Sequence, residues 1–203
     1  MRRFKIAAVL ALGLSLGACG YNQIQQLDEQ AEQAQSNIGV QLTARNQLIP
    51  NLVATVTGAA EFERGTYTEV ARARAGLDQA TKQVDQAVQQ GNVAQMQEAD
   101  AAVTRQIGTF INVAREAYPQ LTATQNFTAL QDQLAESENR IAVARNDYNE
   151  AVRQYNTYIR QFPQAVTARV SGAERRVPYQ APAGSEQAPQ VDFSRPGAPA
   201  APK

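Results

Sequence analysis

The chain has 203 residues, 43% apolar, 19% charged and 6% aromatic, with Lys plus Arg equal to Asp plus Glu at 19 each. It holds no His, no Trp and one Cys, which excludes Ser-His-Asp and Cys-His catalysis, an imidazole metal site, an internal disulfide and a four-thiolate zinc site. Nothing in it calls for a cofactor, and the balanced charge without a basic run excludes nucleic acid as the main partner.

Arg2, Arg3 and Lys5 form a basic leader, followed by an apolar run from Ile6 to Leu16. Eleven helical residues span roughly 16 Å, too short for the ~30 Å hydrocarbon core, so residues 1–18 are expected to be a secretory signal. The run ends in Leu16-Gly17-Ala18-Cys19, which resembles the bacterial lipobox. That resemblance implies cleavage before Cys19 and acylation (palmitate-type chains) of its thiol and new N-terminus. Several chains on one residue suffice for stable anchoring. Gly20, not Asp, follows, which by resemblance to Gram-negative sorting signals favours the periplasmic face of the outer membrane. Loss of Arg2, Arg3 and Lys5 leaves 16 cations against 19 anions, a net charge of −3, so the acyl group rather than charge is expected to hold the membrane.

Residues 21–162 are rich in Gln, Ala, Glu and Arg, with only Pro50 and Pro119 inside, a helix-forming composition. Ile24, Leu27, Ala31, Ala34 and Ile38 follow 3-4 spacing, as do Leu77, Ala80, Val84 and Ala87. So do Val93, Met96, Asp100, Val103, Ile107, Phe110, Ala114 and Ala117. The longest series runs Phe127, Leu130, Leu134, Ser137, Ile141, Ala144, Tyr148, Ala151, Tyr155, Tyr158 and Phe162, predicting one helix of ~54 Å. Sustained seven-residue periodicity predicts coiled-coil-like packing. Gly91-Asn92 fits a helix stop followed by an N-cap, with Gln95 at capping-box distance; Pro119 ends a helix, and Thr122 with Gln125 repeats the capping spacing.

Pro50 clashes with the carbonyl of Asn46 and restricts Ile49, so the first helix must kink or reverse there. A reversal near Leu48–Asn51 gives four segments of roughly 38–58 Å; a kink leaves a helix of ~100 Å over residues 22–89. The expected fold is all-α, an elongated up-down four-helical bundle over residues 19–165 with the reversal favoured. Residues 166–203 are expected to form an extended or disordered Pro/Ala-rich tail: seven of the nine prolines lie in the last 41 residues. Within it the stretch Arg169–Arg176, ending in Val177-Pro178-Tyr179, is expected to be a solvated linker, with docking as a short extended segment the alternative.

The stretch Leu42-Thr-Ala-Arg45-Asn-Gln-Leu48-Ile49-Pro50-Asn51-Leu52-Val53 resembles the signature of the LemA family of bacterial envelope proteins. Phe62-Glu63, the Ala-Arg-Ala around Arg74, Glu116-Ala-Tyr118-Pro119-Gln-Leu121 and Asn126-Phe127 with Leu130 extend it. Glu138-Asn139, Ala144-Arg145, Tyr148-Asn149, Tyr155-Asn156 and Phe162-Pro163 follow in the same order, covering about residues 21–170. The resemblance implies a helical bundle in the envelope and brings little chemistry with it. Members commonly begin with a membrane-spanning helix, whereas here a lipobox stands in its place, and the Pro-rich extension lies outside the shared pattern.

Arg45, Glu63, Arg74, Glu138 and Arg145 are charges among helical apolar positions. They are expected to form an interhelical ion-pair network that sets register. The alternative makes Glu63 and Glu138 an acid/base pair of a carboxylate-dependent peptidoglycan-modifying enzyme. Asn139, Asn146, Asn149 and Asn156 with Tyr148, Tyr155 and Tyr158 make an amide-and-phenol face. Either the rings fill core and the amides bond between helices, or the face grips a glycan or a peptide. Asn51 is expected to satisfy carbonyls freed at Pro50. Together these features point to a lipid-anchored, non-catalytic scaffold or adaptor of the envelope, held to membrane through Cys19, contacting envelope proteins and capable of forming homo-oligomers.

Overall fold

The computed structural model describes residues 2–60 and 67–180, with the backbone alone for 2–19, 59, 60, 67, 122 and 123. Every regular element is helical: α1 (Arg2–Asn46), α2 (Ile49–Ala60), α3 (Tyr67–Gln90), α4 (Val93–Ala117), a 3-10 turn (Pro119–Ala123), α5 (Gln125–Tyr158) and α6 (Gln164–Ser171). Among the described residues there is no strand, and no helix is long and apolar enough to cross a membrane.

Pro50 kinks the chain and does not reverse it. Pro has no N–H to donate; the ladder narrows at Leu48, which bonds to the carbonyl of Arg45, and resumes when Leu52 bonds to Leu48. α2 continues along α5 because Leu52, Val53 and Val56 present a buried face there. The favoured reversal at residues 48–51 is therefore overturned, and so is a single helix to residue 89: α2 ends at Ala60, and α3, from Tyr67, runs antiparallel to α1.

The helices pack in antiparallel pairs. Ile24 of α1 meets Tyr155 and Ile159 at the far end of α5, and Arg45 meets Glu138 near its middle, so α1 and α5 run in opposite directions. α3 returns along α1: the Gln35 amide donates to the carbonyl of Gly91 at 2.6 Å, and that of Asn46 to Thr81 and Asp85 at 3.2 and 3.0 Å. At Gly39 an added Cβ would lie 3.1 Å from Val88, so glycine permits the close approach of α1 and α3. α4 then doubles back on α3 through a turn where Gly91 takes φ +63 and the Asn92 side chain accepts from the N–H of Gln95, the stop and cap expected there.

The expected seams are mostly the buried ones. Ile24, Leu27, Ala31 and Ile38 on α1 and Leu77, Ala80, Val84 and Ala87 on α3 are buried. On α5 the pattern holds from Phe127 to Tyr148 and then slips: Val152 and Ile159 are buried instead of Ala151 and Tyr158, and Phe162 is 86% exposed. α5 ends at Tyr158, one turn short of the expected Phe162, so Ile159 and Phe162 leave the helical stripe and follow the turn that leads to α6. The start of α5 also differs from expectation. Its N-cap is Thr124, not Thr122, and the Thr124 hydroxyl donates backwards to Leu121 rather than accepting from the helix.

The expected tail boundary at residue 166 falls inside α6, whose Ala168 is buried beside Ile24 and Ile159. Gly172, at φ +72, closes α6 in a left-handed cap, with the N–H of Ala173 bonded to Ala168. Residues 173–180 then lie extended on the bundle, so this stretch is not a solvated linker. The rest of the expected tail, 181–203, lies outside the described residues.

Candidate interaction site: a buried charge network and a strapped helix face

Arg45 lies seven residues past Ile38, so the same helical stripe that buries Ile24, Ala31 and Ile38 carries it into the core, where it is 1% exposed. Asp100 occupies the equivalent stripe of α4, seven residues past Val93, and is 2% exposed. Arg45 Nη2 lies 2.9 Å from Asp100 Oδ1, out of line for a hydrogen bond, so these two attract mainly as charges. Its Nη1 donates to Glu138 Oε2 at 2.9 Å and to Thr104 Oγ1 at 3.1 Å. Arg145, two turns beyond Glu138 on α5, donates from Nη2 to Asp100 Oδ2 and to Glu138 Oε1. Two cations and two anions from α1, α4 and α5 thus cancel in one cluster. Burial works against the charged form of Arg145, but Asp100, Tyr179 and Glu138 outweigh it and raise its pKa.

The second layer comes from the C-terminal segment. Asn149 donates from Nδ2 to the carbonyl of Tyr179 at 2.9 Å and accepts the Tyr179 N–H at 2.7 Å. Asn156 treats Arg176 identically, donating to its carbonyl at 2.8 Å and accepting its N–H at 2.9 Å. The match is geometric. Seven residues of helix advance about 10.5 Å, and three residues of extended chain about 10 Å, so amides one heptad apart meet backbone groups three residues apart. Between them Tyr148 donates its hydroxyl to the Val177 carbonyl at 2.9 Å. The Arg176 guanidinium reaches across to Asp28 of α1 at 2.6 Å, a bond that raises its pKa.

Tyr179 joins the two layers. It is 4% exposed, donates its hydroxyl to Asp100 Oδ2 at 2.8 Å, and lies with its ring centroid 5.4 Å from the Arg145 guanidinium carbon. Burial first, and the Asp100 carboxylate second, push its phenol well above the ordinary range, so it remains a donor. Burial also raises Tyr148 and Tyr155.

The structure thus brings together Arg45, Glu138, Arg145, Tyr148 and Asn149. Arg74 stands apart, half-exposed and 3.8 Å from Asp78 on its own helix. Asn51 does not play the expected part at the kink: it is exposed, and the bond there runs from the Thr55 hydroxyl to its backbone carbonyl. Asn139 and Asn146 are exposed on α5. Glu63 and the side chain of Cys19 lie outside the described residues. Asp100, Thr104 and Tyr179 were missed as network members. Asp100 had a legible signal, an acid on a seam position of one helix where another seam carries Arg45; Tyr179 had none, because its place depends on the docking of residues 173–180, the strap, on α5.

The site gathers interactions that hold chain to chain. Both oxygens of Glu138 are engaged by guanidinium groups, and the amide face of α5 grips a peptide, the chain's own residues 176–179. The sequence matches the LemA family over residues 34–193. It is similar to the magnetosome proteins MamQ 1 and MamQ 2 of Paramagnetospirillum magneticum (strain ATCC 700264 / AMB-1), 26% identical to each over 181 residues. The matches cover 81% of this chain and 66% of each relative, so the chain spans just under two thirds of their length. The chain belongs to the LemA family.

Proposed function

We propose that the mature protein is a lipid-anchored helical scaffold or adaptor of the bacterial envelope that performs no catalysis. Its core is an elongated up-down four-helical bundle. Acylated Cys19 holds it at the periplasmic face of the outer membrane, where it contacts other envelope proteins. The observation that carries this reading is the mutual neutralisation of Arg45, Asp100, Glu138 and Arg145, charges spent on joining three helices. The lipobox ending at Cys19, with Gly20 after it, supports the anchor and its placement. The names of the MamQ relatives record an association with the magnetosome and no reaction, which accords with a structural role.

Cys19→Ser tests the anchor: acylation and processing should stop, leaving an unacylated precursor. An unchanged mature mass with unchanged membrane fractionation refutes it. Muropeptide release from peptidoglycan by the purified protein, abolished by Glu63→Gln with Glu138→Gln, would replace the scaffold reading with the enzymatic one.

A further inference from the structure

The end of the molecule next to residue 19 has a surface unlike the rest. Gly20 is buried, and a Cβ added there would lie 3.5 Å from Thr167 Oγ1, so α6 sits directly beside the first residue after Cys19. Around that point Phe162 is 86% exposed, Val170 85%, Val166 59% and Tyr21 46%. These are four of the seven large apolar side chains that stand exposed among the described residues. Val166 and Val170 lie one turn apart on the face of α6 opposite buried Ala168, with exposed Arg169 beside them and exposed Arg160 in the preceding turn.

Charge segregates in the same place. Arg160, Arg169 and Arg175 stand exposed against Glu174, a local +2, while Arg176 is paired with Asp28 of α1; with −3 for the mature chain, −5 is left for the rest. The net charge of the chain conceals this basic end. Exposed apolar side chains flanked by arginines, on a short helix lying beside an acylated residue, fit the boundary between headgroups and acyl chains.

We propose that α6 and the turn before it form a lipid-contact surface that rests in the headgroup layer of an anionic bilayer and fixes the orientation of the bundle upon it. The proposal rests on the acylation of Cys19. The anchor brings the bilayer within one residue of Gly20, so this surface meets lipid at no cost in search.

The absence of Trp makes the test clean. Val170→Trp and, as control, Val143→Trp on the middle of α5 (60% exposed) are made in the full chain and purified in the mature acylated form. Each is reconstituted into phosphatidylethanolamine–phosphatidylglycerol vesicles carrying a headgroup-level quencher lipid, and the mass of the N-terminal peptide reports acylation. The expected result is blue-shifted emission and several-fold stronger quenching at position 170 than at 143. Arg160→Glu with Arg169→Glu should weaken that contact by at least about fivefold per cation removed. An acylated peptide with equal quenching at both positions overturns the surface contact and leaves the anchor standing; an unacylated peptide overturns both. Blue-shifted emission at 170 without lipid, unquenched when lipid is added, assigns the patch to a second copy and also overturns the proposal.

Discussion

Asp100→Asn is the most informative single change. Its carboxylate, 2% exposed, lies 2.9 Å from Arg45, accepts from Arg145 and receives the Tyr179 hydroxyl at 2.8 Å. The substitution keeps the shape but takes the cluster from neutral to +1, leaving Arg45, 1% exposed, with Glu138 as its one anion among the described residues. Breaking a buried pair by neutralising one partner costs about 3–5 kcal/mol. For a domain of this size each kcal/mol moves the melting point by about 2–4 °C, so a fall of roughly 6–20 °C is expected. Thermal melts by circular dichroism at 222 nm, with urea denaturation in parallel, read it directly. The double variant Arg45→Met with Asp100→Leu removes both charges and leaves Arg145 paired with Glu138 at 3.3 Å, so it should recover part of the loss, less about 1–3 kcal/mol for the buried Tyr179 hydroxyl that loses its acceptor. A loss under about 1 kcal/mol for Asp100→Asn, or a double variant as unstable as the sum of the two single ones, refutes the reasoning.

Three further outcomes follow from the same geometry. Asn149→Ala with Asn156→Ala removes four hydrogen bonds to residues 176 and 179, so tryptic cleavage after Arg175 and Arg176 should accelerate about tenfold or more while the helical signal is retained; an unchanged rate would show that the strap is held by something else. Tyr179, Tyr148 and Tyr155 have raised phenol pKa values, so the unfolded chain gives up protons from about pH 10 while the fold retains them. Their stabilising share is intact below that pH and is lost as pH rises beyond it; native and urea-unfolded phenolate titrations that superimpose would contradict this. Gly91→Ala forces an L side chain to φ +63 and should cost about 1 kcal/mol, read as a lower urea midpoint with unchanged slope.

Much of this architecture was legible because helix seams repeat. The stripes of α1 and α3 and the stop at Gly91-Asn92 are set by local spacing and by one left-handed residue. The behaviour at Pro50 was not legible, since a missing N–H is compatible with a kink or a turn; what decides is that Leu52, Val53 and Val56 extend the buried stripe onto α5. In the site, Arg45, Glu138, Arg145 and Asn149 were identifiable as charges and amides at heptad positions. The strap was not, because its bonds use the backbone N–H and C=O of Arg176 and Tyr179, which every residue carries. An arginine-rich, proline-punctuated stretch reads as solvated until its docking partner, the pair of Tyr-Asn doublets seven residues apart, is placed beside it.

The charge cluster also explains how helices with seams this plain find one register. Ala31, Ala80, Ala87, Ala99 and Ala144 fill many buried positions, and alanine against alanine discriminates weakly between one alignment and the next. A slip of α4 by one heptad would bring Val93 or Ile107 to the level of Arg45, burying a guanidinium beside an aliphatic side chain. The cost of breaking the buried Arg45–Asp100 pair, about 3–5 kcal/mol, exceeds what a few alanine contacts recover. Arg45 therefore acts chiefly against the wrong alignments, as a polar residue on a coiled-coil seam does. Docking of the strap depends on the same alignment, since the hydroxyl of Tyr179 reaches Asp100 only when α4 and α5 stand at this height. The network and the strap are thus mutually consistent, and each is satisfied only in the register that satisfies the other.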